Sequence, residues 1–263
     1  NPTVLVSPSD HIIQNPTLFY SSLNKGLKQI ESGKMICFGI SPKYPETGYG
    51  YLQVLNDFSE DQLKVKKFIE KPSRNIAEKM LIQGDYLWNS GIFLFKAKDL
   101  IKAFKVHANN LLDPVKNAVE KRVKDLNFEK LDPTYWMDCE SISIDYAIME
   151  KMKSLNAVKI ETGWSDLGEW NSVERSSKEN RSDDQEQNTF MINCENSFLR
   201  SESSSQVVVG LGLENIIAVA MTDAVLIARK DNSQDVGKLV EYLRNEKVDQ
   251  ADNFPKQHRP WGW

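Results

Sequence analysis

The first forty residues alternate between strand and helix patterns, and this alternation constrains the fold more than any other feature. Residues 3–7 are a short apolar run that predicts a buried strand. Asn15 and Pro16 supply an N-cap and a first helical position, and the helical pattern that follows ends near Gly33. Residues 35–40 are a second apolar run of strand length. A strand–helix–strand unit predicts a parallel sheet with a right-handed crossover.

Further strand and helix patterns continue this α/β organisation over residues 1–178, which we predict to be one domain. The predicted elements are a hairpin or a pair of adjacent strands (49–55 and 65–70, with a turn near 56–62), a helix (74–83), a strand (92–95), a helical stretch (97–125), a helix (142–154) and a strand (158–160).

The composition changes at residues 176–189, which are almost free of apolar side chains and predict a linker or an exposed loop. Beyond it, short apolar runs separated by turn residues predict a small β-rich domain, a solenoid or a sandwich, over 190–246. Its last part, 236–243, predicts a closing amphipathic helix, and no internal repeat fixes a period. Residues 247–263 are interpreted as a linker toward a further domain or as a tail.

Charge and cysteine content exclude several classes of protein. Lys plus Arg total 33 against 37 for Asp plus Glu, a net charge of -4, which argues against nucleic acid as a partner. No apolar run approaches the roughly 18–20 residues of a membrane span. Three cysteines without CxxC spacing make a disulfide framework improbable and favour a reducing cytoplasm. None of the three histidines lies near a cysteine, so a zinc site is improbable.

Polar and glycine-containing segments flank the predicted strands. Asp10 follows the first strand, where it could bind a divalent cation or simply cap a turn. Gly48 permits close backbone approach to a ligand or belongs to an ordinary turn. Glu70 and Lys71 could hold a sugar hydroxyl and a phosphate, or form a solvated ion pair. Asn89 could bind vicinal hydroxyls or form a turn before the strand at 92–95.

Three further acids stand near the predicted helices of this domain. Asp145 and Glu150 lie five positions apart in the predicted helix 142–154, so they do not share a helical face and are improbable as an acid/base pair. One of them could point into a cleft. Asp166 stands between Gly163 and Gly168, where it could N-cap the next helix or complete a two-carboxylate Mg²⁺ site with Asp10.

Taken in order, six segments resemble the sugar-nucleotide pyrophosphorylases, in particular the bacterial mannose-1-phosphate guanylyltransferases that are often fused to a phosphomannose isomerase. The resemblance covers essentially the whole chain. It implies a Rossmann-like, GT-A-like nucleotidyltransferase domain, with a mixed sheet flanked by helices, followed by a small β-solenoid-like region. The matching segments are residues 8–11, 46–50, 68–72, 89–93, 143–150 and 163–168.

The resemblance also implies substrates and a metal. GTP and mannose-1-phosphate would be converted into GDP-mannose and pyrophosphate, by an enzyme of the cytoplasm that could be a homo-oligomer. Asp10 and Asp166 would be the catalytic pair that holds Mg²⁺ at one rim of the sheet.

The resemblance assigns five residues to the sugar phosphate. Glu70 and Asn89 would hold mannose hydroxyls, with the backbone of Gly48 close to the sugar. Lys71 would neutralise the phosphate, and Asp145 would lie near the sugar pocket.

The sequence departs from this family at one point, because it contains no glycine-rich loop with an arginine and a following lysine to bind the nucleotide triphosphate. Its close glycine pair, Gly210 and Gly212, lies late in the chain with no basic residue following. We therefore expect the loop to precede Asn1 or to be absent, and the chain alone to be impaired. Two alternatives remain: a pyrophosphorylase for another sugar nucleotide, and a non-catalytic module that binds sugar phosphates or supports assembly.

Overall fold

The computed structural model describes residues 1–55, 62–180 and 188–253. Their contacts define two compact units, Asn1–Trp164 and a second that begins at Ser165. The strands of the first unit are β1 (Thr3–Val6), β2 (Ile12–Ile13), β3 (Met35–Ile40), β4 (Tyr51–Val54), β5 (Leu63–Ile69), β6 (Tyr86–Lys96), β7 (Val123–Asp125), β8 (Phe128–Lys130) and β9 (Leu155–Lys159). Its helices are α1 (Pro16–Ile30), α2 (Arg74–Gln83), α3 (Ala97–His107), α4 (Leu112–Glu120), α5 (Pro133–Met137) and α6 (Ile144–Ala147).

Six of these strands form one mixed sheet, in the order β1-β6-β3-β9-β5-β4. The sheet is not parallel throughout, contrary to the prediction from the strand–helix–strand unit, because β6 lies between β1 and β3 and is antiparallel to both. β1 and β3 therefore run in the same direction without being neighbours. β3 is parallel to β9, whereas β4 and β5 form the predicted antiparallel hairpin. The predicted turn of this hairpin lies largely outside the described residues.

Both faces of the sheet are covered by helices. Alternate residues of β3 serve two separate cores, so that Met35 and Cys37 face one side while Ile36 and Phe38 face the other. Helices α1 and α2 cover the second side, and α3 and α6 cover the first. The predicted mixed sheet flanked by helices is confirmed.

Local signals predict some element boundaries well. The side chain of Asn15 accepts a hydrogen bond from the backbone N–H of Leu18 at 3.2 Å, so α1 begins as predicted. By contrast, β6 runs through Asn89 and Gly91, so the alternative of a turn before the strand at 92–95 is wrong. A β-bulge opposite Phe38 and a φ of +69° at Gly91 accommodate these residues within the strand.

The two long predicted helices are both interrupted. The stretch 97–125 contains α3, a 3-10 turn and α4 before the chain enters the β7–β8 hairpin. The predicted helix 142–154 contains only α6 and a 3-10 turn, Met149–Lys151, because Ile148 adopts φ −127° and breaks the helix.

In its described residues, the second unit contains two helices and five strands that follow the short β10 (Trp164–Ser165) along the chain. These elements are α7 (Trp170–Asn180), β11 (Thr189–Ile192), β12 (Phe198–Ser201), β13 (Val208–Leu211), β14 (Ile216–Ala220), β15 (Val225–Arg229) and α8 (Val236–Asn245). The predicted linker 176–189 is partly wrong, because α7 continues to Asn180 and β11 begins at Thr189. Residues 181–187 of that linker and 254–263 of the predicted tail lie outside the described residues.

The strands β11 to β14 stack as layers of a coil, whereas β15 pairs antiparallel with β14. Residues 189–192 pair in parallel with 208–211, and 198–201 pair in parallel with 217–220. Every partner lies 19 positions further along the chain, as for the hydrogen bond of 3.0 Å between the side chains of Asn196 and Asn215. The coil thus has a period that the sequence did not reveal, and the predicted β-solenoid-like region is confirmed.

Candidate sugar-phosphate site

The side chain of Asn89, in β6, contacts the side chain of Asp145, in α6. The Asn89 Nδ2 donates a hydrogen bond of 3.0 Å to Asp145 Oδ1, and Asn89 Oδ1 accepts one of 3.1 Å from the backbone N–H of Gly91. Ser143 caps α6 through its hydroxyl oxygen and so fixes the position of Asp145. The Asn89 amide keeps one N–H for a ligand, because its other N–H is committed to Asp145.

Glu70 joins this pair from the end of β5, across Gly50. A β-carbon at position 50 would overlap Glu70 Oε2 and would lie 3.3 Å from the Asn89 Cβ. Gly50 also accepts the Asn89 backbone N–H at 2.8 Å through its carbonyl oxygen. The absence of a side chain at Gly50 therefore allows Glu70 and Asn89 to approach each other.

Gly48, which the sequence analysis places near the sugar, precedes this position by two residues. Its N–H donates a hydrogen bond of 3.0 Å to Glu46 Oε1, and the N–H of Thr47 donates to the same atom at 2.9 Å. Glu46 is buried and shapes the loop before β4. The sequence analysis missed Gly50 and Glu46, although both belong to the segment 46–50 that it singled out.

The carboxyl group of Glu70 has a raised pKa. Burial is the largest cause, the negative charge of Asp145 adds to it, and that of Glu150 contributes further, while the ammonium of Lys71 opposes them; the resulting pKa is about 7. Glu70 Oε2 is buried and has no hydrogen-bond partner among the described residues. A ligand hydroxyl would supply the missing donor.

Asp145 has a raised pKa for a similar reason. Burial raises it, and the hydrogen bond from Asn89 counteracts part of the effect. Lys71 is exposed next to these acids, and its backbone is held at φ +45° by a hydrogen bond of 3.2 Å from its N–H to the Tyr49 carbonyl oxygen. The site thus combines two carboxyl groups, an amide and an ammonium, which suits a ligand with hydroxyl and phosphate groups.

Glu150 also reaches this site, although it was not among the predicted site residues. Both carboxylates influence the pKa of Glu70, and Glu150 Oε1 accepts the backbone N–H of Glu70 at 3.1 Å. The helical spacing rule fails here because the helix ends at Ala147 and the chain changes direction at Ile148.

Asp10 is exposed and follows β1. Its neighbours Pro8 and His11 lie 3.5 and 3.8 Å from where a Cβ of Gly91 would stand, so the segment that contains Asp10 lies close to Gly91 of β6. The strand before it is an edge strand with Leu5 and Val6 exposed, rather than the buried strand that was predicted.

Asp166 belongs to the second unit. Its Oδ1 accepts the backbone N–H of Gly168 at 3.0 Å, in a turn where Leu167 has φ +51°. The alternative that Asp166 N-caps α7 is wrong, because the first carbonyl to accept from the helix belongs to Glu169. The described ranges contain no group of three or more His, Cys, Asp or Glu side chains that could hold a metal ion. The two-carboxylate site of Asp10 and Asp166 stays a prediction.

The mixed sheet with helices on both faces, the polar cluster of Glu70, Asn89 and Asp145, and the stacked β coil define an α/β domain followed by a solenoid. None of the helices in the described part of the chain is long and apolar enough to cross a membrane.

Comparison with known proteins identifies the family. Residues 1–183 match the Nucleotidyl transferase family, and residues 187–243 match the MannoseP isomerase/GMP-like beta-helix domain. The chain therefore belongs to the nucleotidyl transferase family.

Individual relatives agree with this assignment. The mannose-1-phosphate guanylyltransferase of Klebsiella pneumoniae is 34% identical over 266 residues, covering 100% of this chain and 56% of the relative. The xanthan biosynthesis protein XanB of Xanthomonas campestris pv. campestris (strain ATCC 33913 / DSM 3586 / NCPPB 528 / LMG 568 / P 25) is 33% identical over 263 residues, 100% of this chain and 55% of the relative. The crystal structure of a mannose-1-phosphate geranyltransferase from Thermus thermophilus superposes with a TM-score of 0.72 at 25% identity, over 92% of this chain and 70% of that one. The chain spans about half the length of the two sequence relatives.

Proposed function

We propose that this chain carries the sugar-phosphate site of an enzyme that forms GDP-mannose and pyrophosphate from GTP and mannose-1-phosphate. The observation that carries the proposal is the convergence of Glu70, Asn89 and Asp145, with Lys71 beside them. Membership of the nucleotidyl transferase family and the names of the relatives support the same reaction.

Each group has a separate task in this proposal. Ionised Glu70 accepts hydrogen bonds from sugar hydroxyls, one of which satisfies its buried Oε2. The free N–H of Asn89 donates to a neighbouring hydroxyl, while Asp145 holds the amide in its orientation. The Lys71 ammonium neutralises charge on the sugar phosphate.

The proposed reaction needs no nucleophilic side chain. An oxygen of the mannose-1-phosphate attacks the α-phosphorus of GTP in line, and a new P–O bond forms. The bond from the α-phosphorus to the bridging oxygen of the β-phosphate breaks, and pyrophosphate leaves with the electron pair. Such a transfer depends mainly on positioning and on neutralisation of charge, which the site residues provide for the sugar phosphate.

We also propose Asp10 and Asp166 as ligands of Mg²⁺. Both are carboxylates, the hard oxygen donors that this ion prefers, and Asp10 is exposed and therefore accessible to a cation. When bound, the ion would neutralise phosphate charge. Asp166 has a fixed orientation through its bond to the Gly168 N–H.

The proposal includes a cytoplasmic location and self-association. Cys37, Cys139 and Cys194 are all free thiols, which suits a reducing compartment. Self-association is supported by exposed apolar side chains on β11 and β13, including Phe190 and Leu211. Analytical ultracentrifugation would test it, and a strictly monomeric chain would contradict it.

Titration calorimetry with mannose-1-phosphate and with GTP tests the main proposal. We expect the sugar phosphate to bind, and N89A to weaken binding at least tenfold. The control N110A removes an exposed amide bonded to Glu140 and should bind normally. Glucose-1-phosphate, ATP and UTP report whether another sugar nucleotide is made.

Turnover of GTP and mannose-1-phosphate by the 263-residue chain completes the test. Activity at an ordinary enzymatic rate would contradict the expected impairment. Binding of the sugar phosphate without GTP would favour the non-catalytic module. If neither ligand binds, the proposed function is refuted.

A further inference from the structure

We infer that Glu150 is a positioning residue for the sugar-phosphate site, acting through the backbone of Glu70; this inference rests on the proposed function. Its Oε1 accepts the Glu70 backbone N–H at 3.1 Å, so a carboxylate from the 3-10 turn after α6 holds the end of β5. Glu150 itself is not assigned a contact with the sugar.

The held segment has a backbone that needs support. β5 ends at Ile69, and two residues later Lys71 adopts φ +45°, the left-handed region that is unfavourable for a residue with a side chain. Two hydrogen bonds clamp this bend, one from Glu70 N–H to Glu150 and one from Lys71 N–H to the Tyr49 carbonyl oxygen. The bend aims the side chains of Glu70 and Lys71, so loosening it would misplace both.

The position of Glu150 is fixed by the core. Its neighbours Ile148 and Met149 are 0% and 1% exposed and pack in the same cluster as Phe68 of β5. The Glu150 carboxylate is exposed at the surface above this cluster, where it meets the end of β5. Because Ile148 and Met149 are anchored in the core, the exposed Glu150 carboxylate is held within hydrogen-bond distance of the end of β5.

Glu150 also acts on Glu70 through its charge, and this effect can be separated from positioning. The groups that face the Glu70 carboxyl are Asp145 from α6, Glu150 from the following turn, Lys71 from its own segment and Tyr146 beside Asp145. E150Q removes the negative charge but keeps a carbonyl oxygen as acceptor, whereas E150A removes both. The pH profile of binding should shift to lower pH in both variants, because both remove a charge that raises the Glu70 pKa.

The experiment is titration calorimetry with mannose-1-phosphate on the wild-type chain, E150A and E150Q, together with hydrogen exchange of the Glu70 amide measured by NMR. We expect E150A to bind about tenfold more weakly, as the loss of one hydrogen bond to a charged acceptor predicts. E150Q should bind within about threefold of wild type. The Glu70 amide should exchange faster in E150A only. E140A, which removes an exposed Glu that accepts from Asn110, is the matched control.

Two results would overturn the inference: unchanged affinity and unchanged amide protection in E150A, or an E150Q variant that is as weak as E150A. A wild-type chain that does not bind mannose-1-phosphate refutes the proposed function instead. In that case, loss of Glu70 amide protection in E150A still supports the clamp, and retained protection overturns it.

Discussion

Replacing Glu70 by Gln should remove a pH dependence from the stability of the first unit. The pKa of Glu70 rises from 4.5 to about 7 on folding, chiefly because the carboxyl is partly buried near Asp145. A raised carboxyl pKa stabilises the folded state fully at pH values below 4.5, and this contribution is lost as the pH rises through 7. E70Q cannot ionise, so it does not lose stability in this window.

The size of the effect follows from the pKa difference. A rise of this size corresponds to about 3.4 kcal/mol for a fully desolvated carboxyl. Because Glu70 is only half-buried, solvent screening reduces the expected effect to roughly 1–2 kcal/mol. The wild-type chain should therefore lose roughly this free energy of unfolding, relative to E70Q, between about pH 4.5 and 8.

Urea unfolding followed by tryptophan fluorescence at about pH 4.5 and about pH 8 measures the difference directly. A ¹³C NMR titration of the Glu70 carboxyl gives its pKa independently. E78Q serves as control, because Glu78 is an exposed partner of Arg74 and its replacement should have the same small effect at both pH values. If wild type and E70Q differ by a constant amount across this range, the assigned environment of Glu70 is wrong.

Two further substitutions test the packing of each unit. G50A places a methyl group against Glu70 Oε2. The affinity for mannose-1-phosphate, measured by calorimetry, should therefore fall more than tenfold. Unchanged affinity would contradict the proposed site. K230M removes the ion pair of 2.5 Å between the buried side chains of Lys230 and Glu174 and should destabilise the second unit by about 3 kcal/mol in urea unfolding. K238M, from an exposed pair, should leave the free energy of unfolding nearly unchanged, and an equal loss in both variants would show that burial of Lys230 is unimportant.

The sequence predicted those parts of the fold that local chemistry determines. Asn15 and Pro16 mark the start of α1 through capping and a fixed φ, which act within one turn of helix. The position of β6 between β1 and β3 could not be predicted, because no local sequence pattern indicates which strands distant in the chain pair with each other. Asn89 and Gly91 are residue types that are common in turns, yet the bulge in the pairing with β3 accommodates them within a strand.

For the candidate site, the residue types and the order of the segments along the chain were sufficient to predict Glu70, Asn89 and Asp145 as site residues. The fold brings these three residues together. A pair of Asp145 and Glu150 was considered improbable, because residues five positions apart on a continuous helix point in different directions. The helix breaks at Ile148, so this helical spacing does not apply to Glu150. The φ of Ile148 depends on how its buried side chain packs, and the residue type alone does not predict it. The predicted cation site of Asp10 and Asp166 stays a prediction.

The stacked coil of the second unit restricts how this part of the chain can change in length. Each layer rests on the layer below through partners 19 positions apart, including the Asn196–Asn215 contact. Deleting one residue inside a strand of a layer would exchange the inward and outward faces for the rest of that strand. Gain or loss of a complete layer of 19 residues would leave the stacking intact. The length of this part of the chain is therefore expected to change in steps of one layer.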